Sequence, residues 1–271
     1  MIRAIARTLI PLRYRRAGRA LYPYIRYAGL TVHCPCCGGW FRRFLPGGRD
    51  NRPNAECPGC GCLERHRLLW LYLVNRTSLG WAPATVLQLA PERVIRRRLM
   101  ALPNLVYVTG DLDSPLARVT LDILSLPFPD NSFDVILCNH VLEHIPDDAQ
   151  AMRELSRILK PDGWAILQVP LDSSRDTFED PSIVDPRERT RLFGQENHVR
   201  MYGRDYKTRL ERAGLNVTVD AYAHELGADE VRRYGIVPGE DIYRCSKRRT
   251  ADLPDNHAPR IAYPVRSSLS L

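Results

Sequence analysis

Hydrophobic positions in the middle of the chain alternate between short continuous runs and stretches spaced by three and four. The segment from Val119 to Pro170, VTLDILSLPFPDNSFDVILCNHVLEHIPDDAQAMRELSRILKPDGWAILQVP, reads as strand, turn, strand, helix, turn, strand. Phe133–Asn139, FDVILCN, is the kind of apolar run that lies buried in a parallel sheet. Asp147–Lys160 carries Met152, Leu155, Ile158 and Leu159 on one helical face. Pro161-Asp162-Gly163 supplies breaker residues to stop that helix, and WAILQVP resumes as a strand. Upstream, Thr85–Ala90 predicts a first strand, Glu92–Ala101 a helix, Asn104–Thr109 a second strand, and Leu121-Asp122-Ile123 the end of a third. Downstream, a helix over Arg204–Ala213 stops at Gly214, LNVTVDAY is a strand, and Asp241–Ser246 forms a final antiparallel strand. Alternating strands and helices predict an α/β sheet, and polar residues at strand ends mark the edge where such sheets bind ligands.

The chain before this alternation is different. Arg3, Arg7, Arg13, Arg15, Arg16, Arg19 and Arg26 crowd a beginning that has no Asp or Glu before Asp50, so much of the net charge of +8 belongs to one end. Residues 1–27 mix those arginines with Ile, Leu and Tyr, and Pro11 and Pro23 interrupt any long helix. Contact with an anionic membrane surface, contact with a nucleic-acid backbone, and simple docking on the domain all stay open, as does an Arg-rich transit segment. No apolar run approaches the roughly 18 residues needed to span a bilayer, so no transmembrane segment and a cytoplasmic location are expected.

Six of the eight cysteines lie between Cys34 and Cys62. Cys34-x-x-Cys37 and Cys57-x-x-Cys60 are two pairs separated by nineteen residues, the spacing of a four-cysteine zinc ribbon. Gly38 and Gly61 follow the pairs, where a knuckle turn needs positive φ. Four protein ligands leave no open position, which makes the zinc structural. Cys36 and Cys62 are spares, and His33 and His66 are alternative ligands. CLERHRLLWLYLVN then predicts an amphipathic helix joining the ribbon to the sheet. The expected division is residues 1–30, a basic segment; 31–67, the zinc ribbon; 68–80, a linking helix; 81–247, the α/β domain; and 248–271, a loose tail.

Taken together, LDILSLPFPDNSFDVILCNHVLEHI and RELSRILKPDGWAILQVP resemble the second half of a class I S-adenosylmethionine-dependent methyltransferase of the type-11-like family. The resemblance covers roughly Trp81 to Cys245. It implies a seven-strand Rossmann-like sheet with helices on both faces and S-adenosylmethionine as cofactor. Asp111, with Leu112 beside it, stands about twenty residues beyond the first loop, the interval at which a Rossmann unit places a carboxylate on ribose hydroxyls; Asp113 is the alternative. The resemblance assigns Asp122 to the adenine amino group, Ile123 to the ring, and Asn139 and His140 to the neighbourhood of the sulfonium.

The chain departs from the family at the first loop. Where a G-x-G-x-G is usual it has Ala90-Pro91-Glu92, and no glycine occurs between Gly80 and Gly110. Ala90 still allows close approach, Pro91 suits a first helical turn, and Glu92 either meets the cofactor's ammonium or merely starts a helix. The long polar stretch Leu171–Gly203 fits a lid. His198, Arg200 and Tyr202 alternate there: Arg200 and Tyr202 are candidate substrate contacts, and His198, His144 and His140 are candidate bases. The expected function is methyl transfer to an O or N atom of a small-molecule, glycan or natural-product acceptor. The alternatives are an RNA methyltransferase that uses the basic, zinc-bearing end, and an inactive scaffold that keeps the fold.

Overall fold

The computed structural model describes residues 21–49 and 51–248 of the 271. Most of the basic segment and the tail beyond residue 248 lie outside the described residues. In chain order the strands are β1 (Ala28–His33), β2 (Trp40–Phe41), β3 (Leu45–Gly47) and β4 (Arg52–Glu56), then helix α1 (Glu64–Arg76). The alternating unit follows as β5 (Ala84–Leu89), α2 (Arg93–Leu99), β6 (Leu105–Asp111), β7 (Val119–Thr120), β8 (Phe133–Asn139), a 3-10 turn (Leu142–His144), α3 (Asp148–Ile158) and β9 (Leu159–Gln168). The remainder is β10 (Leu171–Asp172), β11 (Phe178–Glu179), α4 (Pro186–Phe193), β12 (Arg200–Gly203), α5 (Tyr206–Arg212), β13 (Leu215–Asp220), α6 (Tyr222–Glu225), α7 (Ala228–Tyr234) and β14 (Ile242–Lys247).

Seven strands form the main sheet in the order β7-β6-β5-β8-β9-β14-β13. The first five are parallel, and β14 runs antiparallel between β9 and β13. This is the expected seven-strand Rossmann-like sheet. Strand order reverses between β5 and β8, which makes their carboxyl ends the switch point where open sheets bind ligands. Successive residues point to opposite faces. Val86, Val135, Leu137 and Ile166 pack on one side with α1 and α2. Leu87, Leu89, Ile136, Cys138, Ala165 and Leu167 pack on the other with α3 and α5.

Three local expectations need correction. Helix α3 is capped by Asp147, whose carboxylate accepts from the Gln150 amide at 2.9 Å, but it ends at Ile158 with Leu159 already extended. Lys160 precedes a proline, a position disfavoured in helix, so the break comes before Pro161 rather than at it. Residues 160–163 instead bulge out of β9, where a Cβ on Gly163 would sit 2.8 Å from the Asp134 carbonyl. The third strand ends at Thr120, short of Asp122. The long polar stretch Leu171–Gly203 is not an open loop either: β10, β12 and β11 form a small sheet with α4 beside it.

Helix α1 begins at Glu64 and is more than a link. Leu68 to Leu73 are buried against the β5–β8–β9 side of the sheet, and the same core includes Phe41, Phe44 and Cys57 of the cysteine-bearing hairpins. Arg67 is wholly buried at this junction. Its guanidinium donates to the carbonyls of Ala55, Cys62, Tyr234 and Gly235 at 2.6 to 3.2 Å and stacks 3.9 Å over Phe44. No helix of the described residues is long and apolar enough to cross a membrane.

Candidate active site and cysteine centre

At the switch point the backbone is strained in two places. Ala90 follows β5 with φ 44°, and His140 follows β8 with φ 55°. Left-handed conformations cost non-glycine residues free energy and cluster at functional edges. Between them opens a cavity of 510 Å³ lined by Leu89, Ala90, Gly110, Asp111, Leu112, Asp113, Leu121, Asp122, Ile123, His140, Val141, His144, Ile145 and Asn197. Gly110 is there for packing, since a Cβ would fall 2.3 Å from the Leu121 side chain.

The cavity is acidic. Asp111 uses one oxygen to accept from the amides of Asp113 (2.9 Å) and Ser114 (2.8 Å), which fixes the carboxylate and leaves its second oxygen free of protein partners. Asp122 accepts likewise from the Leu124 amide at 2.9 Å with one oxygen. Leu112 and Ile123 supply apolar walls, and no lysine or arginine is among the lining residues. Such a donor set suits a cationic adenosine derivative and offers nothing to a pyrophosphate. Of the residues expected to bind cofactor, Ala90, Asp111, Leu112, Asp122, Ile123 and His140 line this cavity, whereas Pro91, Glu92 and Asn139 do not.

Glu92 and Asn139 line a second, adjoining cavity of 690 Å³, shared with Ala90, His140, Glu143, His144 and His198 and edged by Arg49, Arg52 and Arg65. Glu92 caps α2 by position, but its Oε1 is taken by His66 Nε2 at 2.5 Å and Arg65 Nη2 at 3.3 Å. Burial alone would raise this carboxyl; the hydrogen bond and charge of His66 and the charge of Arg65 outweigh it and hold Glu92 below the ordinary carboxylate range. Asn139 is buried with neither side-chain polar atom hydrogen-bonded.

His198, Arg200 and Tyr202 do share one face, but that face packs on the 3-10 turn rather than opening to a pocket. Arg200 is 3% exposed and donates to the carbonyls of Leu142 (3.0 Å), Ile145 (2.5 Å) and Pro146 (2.8 Å) and to Glu179 at 2.7 Å. The Tyr202 hydroxyl donates to Asp148 at 2.7 Å. Both therefore hold the turn in place, and neither lines a cavity as a substrate contact would. Only His198 of the three reaches the second cavity. Its Nδ1–H donates to the Phe193 carbonyl at 2.8 Å, and burial holds the imidazole below the usual histidine range. The sequence reading missed Glu143, Asn197 and Arg65 as lining residues; Glu143, a lone acid inside the apolar VLEHI, carried the one available signal.

The cysteine hairpins repeat one another. The Gly38 amide donates to the Cys34 carbonyl at 2.8 Å and the Gly61 amide to the Cys57 carbonyl at 2.9 Å, with φ 73° and 72° at the two glycines. Cys34–Cys60 and Cys37–Cys57 sulfurs are each 3.7 Å apart. A tetrahedron with metal–sulfur bonds of about 2.3 Å has edges of about 3.8 Å, so these four thiols fit a zinc ion. Neither alternative histidine gathers with the sulfurs: His33 stacks on Trp40 outside the cluster, and both ring nitrogens of His66 are committed to Leu63 and Glu92. Cys62 lies 3.3 Å from Cys34 and Cys36 contacts the His66 carbonyl; all eight cysteines are free of disulfides.

Comparison with known proteins places this geometry. Residues 84–167 match the family described as "Methyltransferase domain". The uncharacterized methyltransferase YcgJ of Bacillus subtilis is 46% identical over 70 aligned positions, covering 22% of this chain and 28% of that protein. The demethylmenaquinone methyltransferase of Staphylococcus aureus is 39% identical over 78, covering 28% and 31%. The chain thus spans less than a third of the length of these curated relatives. The crystal structure of YcgJ superposes with a TM-score of 0.45 at 16% identity, over 68% of this chain and 99% of that one. The match falls on β5 through β9, the strands and turns that form most of the acidic cavity, and it supports a methyltransferase domain of the class I, S-adenosylmethionine-dependent kind over this part of the chain.

Proposed function

We propose that the chain binds S-adenosylmethionine in the 510 Å³ cavity and transfers its methyl group to an O or N atom of a small-molecule acceptor held in the adjoining 690 Å³ cavity. The observation that carries this reading is the pair Asp111 and Asp122. Asp111 is fixed by two backbone amides and Asp122 by one, and each keeps one oxygen free at the switch point. Asp111 would accept from the ribose hydroxyls, Asp122 from the adenine amino group, and Leu112 and Ile123 would sandwich the ring. Ala90, Glu92, Asn139 and His140 would surround the methionine end. Glu92, kept ionised by His66 and Arg65, is the carboxylate placed for the ammonium.

The cofactor supplies an electrophilic methyl group, and the protein's part is alignment and exclusion of water. Arg200 and Tyr202 fix the turn that carries His144, and the lid and the α1 side close the second cavity. His140 is the proton acceptor we favour where the acceptor atom carries a proton. It lines both cavities, and Glu143 Oε1 lies 3.4 Å from its Nδ1, placed to stabilise the charged ring. A small-molecule acceptor suits a cavity within the usual range of about 300–1,000 Å³. An RNA acceptor has less support: Phe41 and Phe44 are buried, and Trp40, which is exposed but stacked on His33, is a single platform rather than a row among the described residues of the hairpins. Cys34, Cys37, Cys57 and Cys60 would hold a structural zinc ion.

The test is release of S-adenosylhomocysteine in the presence of pooled hydroxyl- and amine-bearing small molecules, with total RNA in a parallel arm. Turnover with the small molecules, lowered by His140→Gln at saturating S-adenosylmethionine, supports the reading. Turnover with RNA alone, or with neither, contradicts it.

A further inference from the structure

Glu143 is 1% exposed, and neither of its carboxylate oxygens has a hydrogen-bond partner. The nearest basic group is His140 Nδ1, 3.4 Å from Oε1, which makes no hydrogen bond to it and offsets its charge only when protonated; a carboxylate buried in this way is costly unless a cation neutralises it. Two histidines flank it. His144 Nδ1 lies 3.3 Å from the Asn197 carbonyl, and His198 Nδ1 lies 2.8 Å from the Phe193 carbonyl. A carbonyl only accepts, so each ring carries its proton on Nδ1 and presents the Nε2 lone pair, the arrangement by which outer hydrogen bonds orient metal-ligating histidines. The two rings meet edge to face at 4.7 Å, and ligand atoms of Glu143, His144 and His198 all lie within 4.8 Å of one another.

We propose that Glu143, His144 and His198 form a binding site for a divalent transition-metal cation at the junction of the two cavities, separate from the cysteine centre. Two imidazoles and one carboxylate suit Zn²⁺, Mn²⁺, Fe²⁺ or Co²⁺ rather than Mg²⁺ or Ca²⁺, which take all-oxygen sets. Three protein ligands leave coordination positions open toward the 690 Å³ cavity that all three residues line. The site is built in advance. The Val199 amide donates to the Glu143 carbonyl at 2.9 Å, which ties the 3-10 turn to the segment carrying His198, and Arg200 clamps the carbonyls on either side of Glu143 and His144. On the methyltransferase reading, the open position takes an oxygen of the acceptor and holds it beside the methyl donor. The metal site itself does not depend on that reading.

The direct test is Mn²⁺ titration of the full, zinc-loaded chain without S-adenosylmethionine, followed by loss of the free Mn²⁺ electron paramagnetic resonance signal. Mn²⁺ binds thiolates poorly and leaves the cysteine centre undisturbed. One saturable equivalent is expected, weakened at least about tenfold by Glu143→Gln and by His198→Gln. A measurement on the unaltered protein guards against variants that fail to fold: substoichiometric Mn²⁺ should broaden the imidazole proton resonances of His144 and His198 before those of His33 and His224. Absence of saturable binding, or broadening that spares His144 and His198, overturns the proposal. Metal binding without any cofactor binding would leave this site standing and remove the methyltransferase reading.

Discussion

Arg67→Met isolates what fastens the cysteine hairpins to the sheet. The wild-type guanidinium donates to five carbonyls from three parts of the chain: Asn54 and Ala55 in β4, Cys62 in the second knuckle, and Tyr234 and Gly235 at the end of α7. Methionine fills comparable volume but donates nothing. Hydrogen bonds to a charged group contribute roughly 1.5–3 kcal/mol each, and part of that offsets desolvation of the buried cation. The Cys62 carbonyl keeps the Cys57 amide, so counting about 1 kcal/mol for each of the other four carbonyls gives a loss of about 4 kcal/mol. In a chain of this size that lowers Tm by about 8–16 °C. Arg67→Lys keeps the charge but has a point ammonium where a planar fork is needed, so it should recover at most about half. The assay is thermal unfolding followed by circular dichroism in zinc-containing buffer. The Cys62 carbonyl also accepts from the Cys57 amide at 2.8 Å, so zinc release to a chelator should be faster in Arg67→Met. A Tm within about 2 °C of wild type would refute the reasoning and make Arg67 incidental to the junction.

Three further outcomes follow from other contacts. Ala90→Gly removes a left-handed strain of about 1 kcal/mol, offset by glycine's entropy, so scanning calorimetry should find Tm unchanged within about 3 °C while Ala90→Val falls further; equal losses in both would contradict the φ argument. Stripping the cysteine centre with a chelator should weaken S-adenosylmethionine binding measured by fluorescence quenching, because His66 and Arg65 on α1 hold Glu92 at the cofactor loop; unchanged affinity in metal-free, folded protein would break that link. Burial would raise the Asp205 carboxyl, but Thr177 donates to it from its amide at 2.7 Å and its hydroxyl at 2.6 Å and holds it below the ordinary carboxylate range. The folded-state pKa is the lower one, so its contribution is complete above the unfolded value near 3.9 and disappears as pH falls through the folded value. Acid unfolding should therefore be less steep in Asp205→Asn, and an identical profile would exclude the carboxylate.

The β5–β9 region was legible because periodicity, breaker residues and strand-end acids all agree over a short stretch. The spacing of the cysteine pairs likewise brought the four sulfurs together. What sequence could not supply was direction. Alternation put His198, Arg200 and Tyr202 on one face, but it cannot say whether that face meets solvent, ligand or protein; here it meets the 3-10 turn, and a buried arginine answers to backbone carbonyls. For Glu92 the sequence offers a carboxylate that meets the cofactor's ammonium or merely starts a helix, and it does not show that α1 supplies a partner. In three dimensions α1 lies beside the loop and delivers His66 to it. Nor does the string of letters show strain: Ala90 and His140 look ordinary until their backbone angles are known.

Calorimetric titration of the zinc-loaded chain with S-adenosylmethionine, repeated on Asp111→Ala and on the lid control Asp180→Ala, tests the central claim most directly. The account predicts one site per chain, with affinity of the order of micromolar. Asp180→Ala should leave it intact. Asp111→Ala should weaken it at least about thirtyfold, the equivalent of ~2 kcal/mol for charge-assisted hydrogen bonds to the ribose. Absence of binding by folded wild-type protein, or binding indifferent to Asp111, would contradict the account and leave a methyltransferase fold used for something other than methyl transfer.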